Sequence, residues 1–186
     1  MPDQVHVLLE GASDVATVRA LMAKAGADPD RVRLLNLGGV TNVGRTLARL
    51  AQDRPDATVL GLCDSGEADV VVRVLRRTGL ALRDASDLPS YGFFVCVRDL
   101  EDELIRALGT DRAVAVVANL GLADKLQTLR GQHAWRDRPL AEQLHRFCSV
   151  ASGRKELMAG AFADALDADA VPEPLRQLIE RLPRLS

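Results

Sequence analysis

The chain has 186 residues, 47% of them apolar and 27% charged, with a formal net charge of −2. That length suits one domain with a helical appendix, and the apolar fraction is enough for a real core. The charge argues against a dedicated polyanion binder, and no stretch approaches the roughly 20 consecutive apolar residues of a membrane span.

The opening residues, MPDQVHVLLEG, carry no basic region and run straight into a strand pattern, so they do not read as a signal peptide. The apolar run 5–9 (VHVLL) predicts a first strand ending at Glu10-Gly11. From Ser13 to Ala25, Val15, Val18, Leu21 and Met22 recur at helical spacing, with Gly26 as C-cap. A second strand is predicted over 32–37, broken by Gly38-Gly39, and a helix over 43–50 that stops before Pro55. A third buried strand covers 57–63, a helix 68–77, and a fourth, β-rich and aromatic strand 92–97. Three of these strands are nearly continuous apolar runs, as expected where helices cover both faces of a parallel sheet. The crossover rule and the acids described below place the first and third strands side by side.

After Asp99 the pattern turns helical: 100–108, then 120–129, then a helix after Pro139, with 113–117 (AVAVV) fitting either strand or helix. Over 154–166, Leu157, Met158, Ala161, Phe162, Ala165 and Leu166 form an amphipathic pattern that predicts a helix anchored on the core. Pro172 and Pro174 punctuate before a last helix over 175–182. The expected division is an α/β core over 1–110 and a helical extension over 111–186, packed together as one compact unit. Cys63, Cys96 and Cys148 form no C-x-x-C pair; Cys63 and Cys96 lie in apolar runs, which predicts buried thiols, a reducing cytoplasmic setting and no structural zinc.

Ligands of an open parallel sheet bind beyond the carboxyl ends of its strands. Glu10 ends the first strand, Asp14 lies in the next helical turn, Asp64 ends the third strand, and Asp99 and Glu101 follow the fourth. Carboxylates brought together in this way repel unless a cation neutralises them, and oxygen-only donors suit Mg²⁺ or Mn²⁺, ions that organise phosphodiester chemistry. Each acid also has a plain structural use. Asp14 and the run 101–103 complement helix N-termini, and Asp64 in GLCDSGE suits a turn. The residues 131–155 hold Arg136, Arg138, Arg146, Arg154 and Lys155 together with the only tryptophan, Trp135. That run is either a solvated helical surface or a contact for a phosphate backbone.

The segments VLLEGASDVATVRALMAKAG, VLGLCDSGEAD, FFVCVRDLEDELI and SGRKELMAGAFADALD, in this order, resemble the Toprim domain of the overcoming-lysogenization-defect (OLD) nucleases over roughly residues 5–182. The resemblance implies a Toprim-like Rossmannoid fold with a four-stranded parallel sheet and a C-terminal helical extension. It also implies an endonuclease that nicks or cleaves DNA with Mg²⁺ or Mn²⁺. Glu10, Asp14, Asp64 and Glu101 would be the metal-site residues, Glu10 alternatively a general acid or base, and Lys155 would stabilise charge on the phosphate. Gly11 would allow close backbone approach, and Arg136, Arg138, Arg146 and Arg154 would bind nucleic acid. The chain departs from the family where the second Asp of its Asp-x-Asp motif falls on Gly66; Glu67 and Asp69 are out of register. The larger OLD proteins carry an ATP-binding cassette ATPase, whereas no G-x-x-x-x-G-K-S/T occurs here. Expected partners are therefore DNA, a separate ATPase and a second copy of the chain, with no membrane.

Three other readings compete. A signalling receiver would carry paired acids after the first strand and a lysine after a fifth. A dinucleotide-binding domain would carry G-x-G-x-x-G and an acid where Asn36 stands. A non-catalytic Toprim-like subunit that binds nucleic acid or a partner is the main alternative, because of Gly66. A topoisomerase is not expected, since the lone Tyr91 precedes the fourth strand.

Overall fold

The computed structural model describes residues 4–151 and 153–185. Four strands, β1 (Val5–Leu9), β2 (Val32–Asn36), β3 (Thr58–Asp64) and β4 (Phe93–Cys96), form one sheet in the order β2-β1-β3-β4, every pair parallel. The first and third strands are neighbours, with Val5 opposite Thr58 and Leu8 opposite Gly61. Parallel pairing requires crossovers, supplied by α1 (Ala12–Ala25), α2 (Val43–Asp53) and α3 (Ala68–Arg77). Gly26 ends α1 in the left-handed region at φ 66°, as its position in the sequence predicts.

Alternation along β1 divides the interior into two layers. Val5, Val7 and Leu9 point into the larger core with Val18, Leu21 and Met22 of α1. Leu8 points into the smaller one, under α2 and α3, with Val71, Val72 and Phe93. The chain beyond Asp99 is helical: α4 (Leu100–Leu108), α5 (Thr110–Asn119), α6 (Ala123–Gly131), α7 (Leu140–Ser149), α8 (Arg154–Ala165) and α9 (Glu173–Glu180). The ambiguous 113–117 run is thus helical. Ala113 and Val117, four apart, are fully buried, while Val114 and Val116 only flank the core. All six helices contribute to the larger core, on α1's side of the sheet. No helix among the described residues is long and apolar enough to cross a membrane.

Helix α8 packs along α1 through small residues; a Cβ on Gly160 would lie 3.5 Å from that of Ala16. Lys24 of α1 locks the far end by donating to the carbonyls of Ala163 (3.4 Å), Asp164 (2.9 Å) and Leu166. One expectation for α8 is corrected. Met158, Ala159, Phe162 and Ala163 carry its contact with the core, while Leu157 is 50% exposed.

Gly61, in the middle of β3, faces its register partner Phe93, and a Cβ there would overlap the buried phenyl ring. Gly61→Ala is expected to destabilise the fold by about 1–3 kcal/mol, the usual cost of overpacking a closed core. Urea unfolding checks this, and an unchanged midpoint would contradict it.

Candidate active site

The carboxyl ends of β1, β3 and β4 open on one edge of the sheet, and the predicted acids gather there. Glu10 follows β1 and is partly exposed. Its backbone carbonyl accepts from Gly39 N (3.0 Å), which ties down the loop after β2. That loop needs its glycines, since Gly38 and Gly39 have φ of 64° and 114°. Asp14 is buried at 7% exposure, and its Oδ2 accepts from Gly11 N at 3.1 Å. It therefore caps α1, as its place in the first helical turn predicts, and also lines the cleft at this edge. Gly11 itself is extended (φ −146°), and a Cβ there would meet only the Asp14 carboxylate at 3.7 Å. Together with Gly153 and Lys155, residues 10–14 line a cleft of about 230 Å³.

Asp64 ends β3 half-buried. Its carboxyl is pushed up to about 7, first by burial and then by Asp14, Glu10, Asp99 and Glu101. Burial also raises Asp14, opposed by the Gly11 hydrogen bond and assisted by Glu10. Glu67 joins this group although its place in the sequence is out of register with the Asp-x-Asp pattern. The turn 65–67 carries it back toward Glu10, and burial together with a hydrogen bond to the Glu10 carboxyl pushes it up to about 7. Gly66 sits exposed on the same turn, outside the left-handed region and with open space where a Cβ would go.

The acidic run after β4 splits into separate tasks. Asp99 caps α4 by accepting from Asp102 N (2.9 Å), and its Oδ2 lies 2.7 Å from His145 Nε2 of α7. Glu103 is a structural tie: it accepts from Val97 N (2.8 Å) and pairs with Arg106 (2.6 Å). Glu101 belongs to the site. It is 2% exposed, and its Oε2 meets Lys155 Nζ at 3.2 Å. Burial raises the Glu101 carboxyl, and Lys155 only partly opposes this. Burial pulls the ammonium down, but Glu101, Asp14 and Asp64 together hold it above the usual lysine value. Both shifts point upward because the pair is asymmetric: Glu101 has lost its water, while the Lys155 side chain is still half exposed.

The structure brings Glu10, Asp14, Asp64, Glu101 and Lys155 to one edge, adds Glu67, which the sequence offered only as an out-of-register neighbour of Gly66, and sets His145, which sequence reasoning did not single out, against Asp99. His145 lies on a helix far along the chain, and nothing in its sequence neighbourhood marks it. Among the described residues, no three His, Cys, Asp or Glu side chains stand close enough to hold a metal ion as placed. The donor chemistry nevertheless fits a hard cation: all the donors are oxygens, and Glu101 Oε1 and Glu67 Oε2 are buried without a hydrogen-bond partner.

The four predicted basic residues do not all line one cavity. Arg146 and Arg154 line one cavity with Trp135, Arg136 pairs with its neighbour Asp137 (3.3 Å), and Arg138 lies outside the cavity. The three cysteines are free and buried, and burial raises each thiol, Cys63 and Cys148 to about 12.

No protein-family model matches the sequence, and no curated protein matches it. Solved structures do match in fold. The C-terminal region of the Xanthomonas campestris pv. campestris OLD protein superposes with a TM-score of 0.69 at 22% identity, covering 97% of this chain and 92% of that one. The C-terminal region of the Burkholderia pseudomallei OLD protein does so with a TM-score of 0.67 at 17% identity, covering 97% of each.

Proposed function

We propose that this chain, which has the fold of the C-terminal region of OLD proteins, is a metal-dependent phosphodiesterase that nicks or cleaves nucleic acid, DNA foremost. The observation that carries this reading is the meeting of Glu10, Asp14, Asp64 and Glu101 at one sheet edge, with Lys155 delivered to Glu101 from α8. These carboxylates would hold Mg²⁺ or Mn²⁺, with Glu67 standing in for the acid missing at Gly66. When bound, such an ion neutralises the carboxylates and supplies Lewis-acid activation of the phosphodiester. Glu10, which is partly exposed, handles the proton of the attacking or leaving oxygen. Lys155 can turn from Glu101 to the phosphate, because its side chain is half exposed. Arg146 and Arg154 hold the strand; Arg136 and Arg138 add general attraction. A separate ATPase polypeptide is a partner under this reading, and the buried free thiols suit the cytoplasm.

Supercoiled plasmid is the direct test. Wild type is expected to nick it with Mn²⁺ or Mg²⁺ at a modest rate, EDTA to stop the reaction, and Glu10→Ala to abolish it. Cleavage that persists in Glu10→Ala would come from a contaminant and sink the proposal. Plasmid binding without cleavage under any metal favours a second reading, a non-catalytic nucleic-acid-binding subunit, which the missing side chain at Gly66 supports. Gly66→Asp distinguishes the two further. Its turn accepts a side chain, so the variant folds as wild type, and one added ligand charge raises Mn²⁺ affinity by roughly tenfold, ~1.4 kcal/mol. Calorimetry showing no gain would mean that position 66 does not face the ion.

A further inference from the structure

Beside the carboxylate edge, the junction of α6, α7 and α8 leaves a cavity of about 370 Å³. Lys125, Trp135, Arg146, Val150 and Arg154 line it, and no carboxylate does. None of the ion pairs among the described residues involves Lys125, Arg146 or Arg154. Three cations around an aromatic ring, without acids to neutralise them, favour an anion that also carries a flat apolar face.

The cavity is built rather than left over. The Arg146 guanidinium lies 5.7 Å from the centroid of the Trp135 ring. Arg154 lies 4.3 Å over the Phe147 ring and donates to the Phe147 carbonyl at 3.3 Å. The loop bearing Trp135 is pinned by Gln143, 4% exposed. Its Nε2 donates to the carbonyls of Trp135 and Arg138 at 2.9 Å each, and its Oε1 accepts from Arg130 at 3.0 Å. Ordering that would otherwise have to be supplied on binding is already present.

We infer that this cavity binds one nucleotide of a single-stranded stretch of nucleic acid, its base against the Arg146–Trp135 stack and Val150, its phosphate between Arg154 and Lys125. Guanidinium planes and indole rings are sequence-tolerant stacking platforms, and cations beside them track the backbone. The volume is at the low end of small-ligand pockets, right for a single unit. A duplex keeps its bases stacked inward and has none to offer. The position also fits. Arg154 precedes Lys155, which reaches Glu101, and Arg146 follows His145, which holds Asp99. The inference rests on the proposed phosphodiesterase function and narrows its substrate to strands with unpaired nucleotides.

Trp135 is the only tryptophan, so its fluorescence reports this cavity alone. In EDTA at low salt, a ten-residue oligothymidylate is expected to quench it saturably. Lys125→Ala, Arg146→Ala and Arg154→Ala should each weaken the quench about tenfold; Lys125→Ala and Arg154→Ala should each lower the salt slope by about 0.7 for one lost phosphate contact, while Arg146→Ala, which removes a stacking partner, should leave the slope near that of wild type. Covalently closed duplex and inorganic phosphate, at matched concentrations, should leave the signal unchanged. Equal quenching by the duplex overturns the inference, and equal quenching by phosphate reduces the cavity to a plain anion site. Strand binding seen by anisotropy with no change at Trp135 places the strand elsewhere and equally overturns it. A plasmid assay that fails while the quench persists sinks the phosphodiesterase reading and leaves the cavity assignment standing.

Discussion

Lys155→Ala is expected to slow metal-dependent cleavage about 100-fold under single-turnover conditions, the typical loss for one electrostatic donor to a developing charge. The pairing with Glu101 adds a second signature. Removing the ammonium strands a carboxylate that is 2% exposed and already has one unpartnered oxygen. The cost to stability is roughly 1–2 kcal/mol, at the low end for an orphaned buried acceptor because Lys155 itself is half exposed. The sign with pH follows from Glu101, whose folded carboxyl titrates above its ordinary value. Such an acid costs stability once the pH exceeds the unfolded value, so the variant's deficit shrinks on acidification. Combining Lys155→Ala with Glu101→Gln should restore the melting temperature without restoring cleavage. A Lys155→Ala enzyme that cleaves like wild type would leave the lysine as a structural counter-ion only.

Asp64→Asn is expected to separate stability from metal response. Its carboxyl is pushed up to about 7 by burial and by four neighbouring acids, so its charge at pH 8 is held at a cost. Without metal, the variant should melt a few degrees higher than wild type, the scale of about 1 kcal/mol in a chain of this size. With Mn²⁺ at a hundred times the dissociation constant, wild type should gain about 2.7 kcal/mol and the variant almost nothing. Cleavage by the variant should fall below detection. A variant that melts lower in EDTA and responds to Mn²⁺ as wild type does would remove Asp64 from the metal site.

The sheet was legible because buried parallel strands write themselves as apolar runs, and because acids at strand ends break those runs at the functional edge. Glu67 was harder to read. Its position depends on how the turn 65–67 folds back, and counting residues from Asp64 cannot show that. Leu157 misled for a related reason. On α8 the pairs 157/158, 161/162 and 165/166 share one periodicity, and only contact with α1 decides that Met158 and Phe162 face inward. The basic run is different again. Proximity in sequence groups four arginines, of which Arg146 and Arg154 line one cavity and Arg136 and Arg138 do not.

The seam between α1 and α8 also has a consequence for biosynthesis. Asp14 lies near the start of the chain and Lys155 near its end, and both reach the same centre. At ordinary translation speeds, roughly ten to thirty seconds separate their emergence from the ribosome. Once β4 and α4 have followed, the sheet and its acids exist without their lysine until α8 emerges, and α1 presents an apolar face that α8 does not yet cover. The nascent chain therefore has an incomplete charge cluster and is sticky until α8 docks. Docking of that helix both covers the apolar face of α1 and delivers the cation, so a chain that stalls or misfolds before this step has no assembled centre.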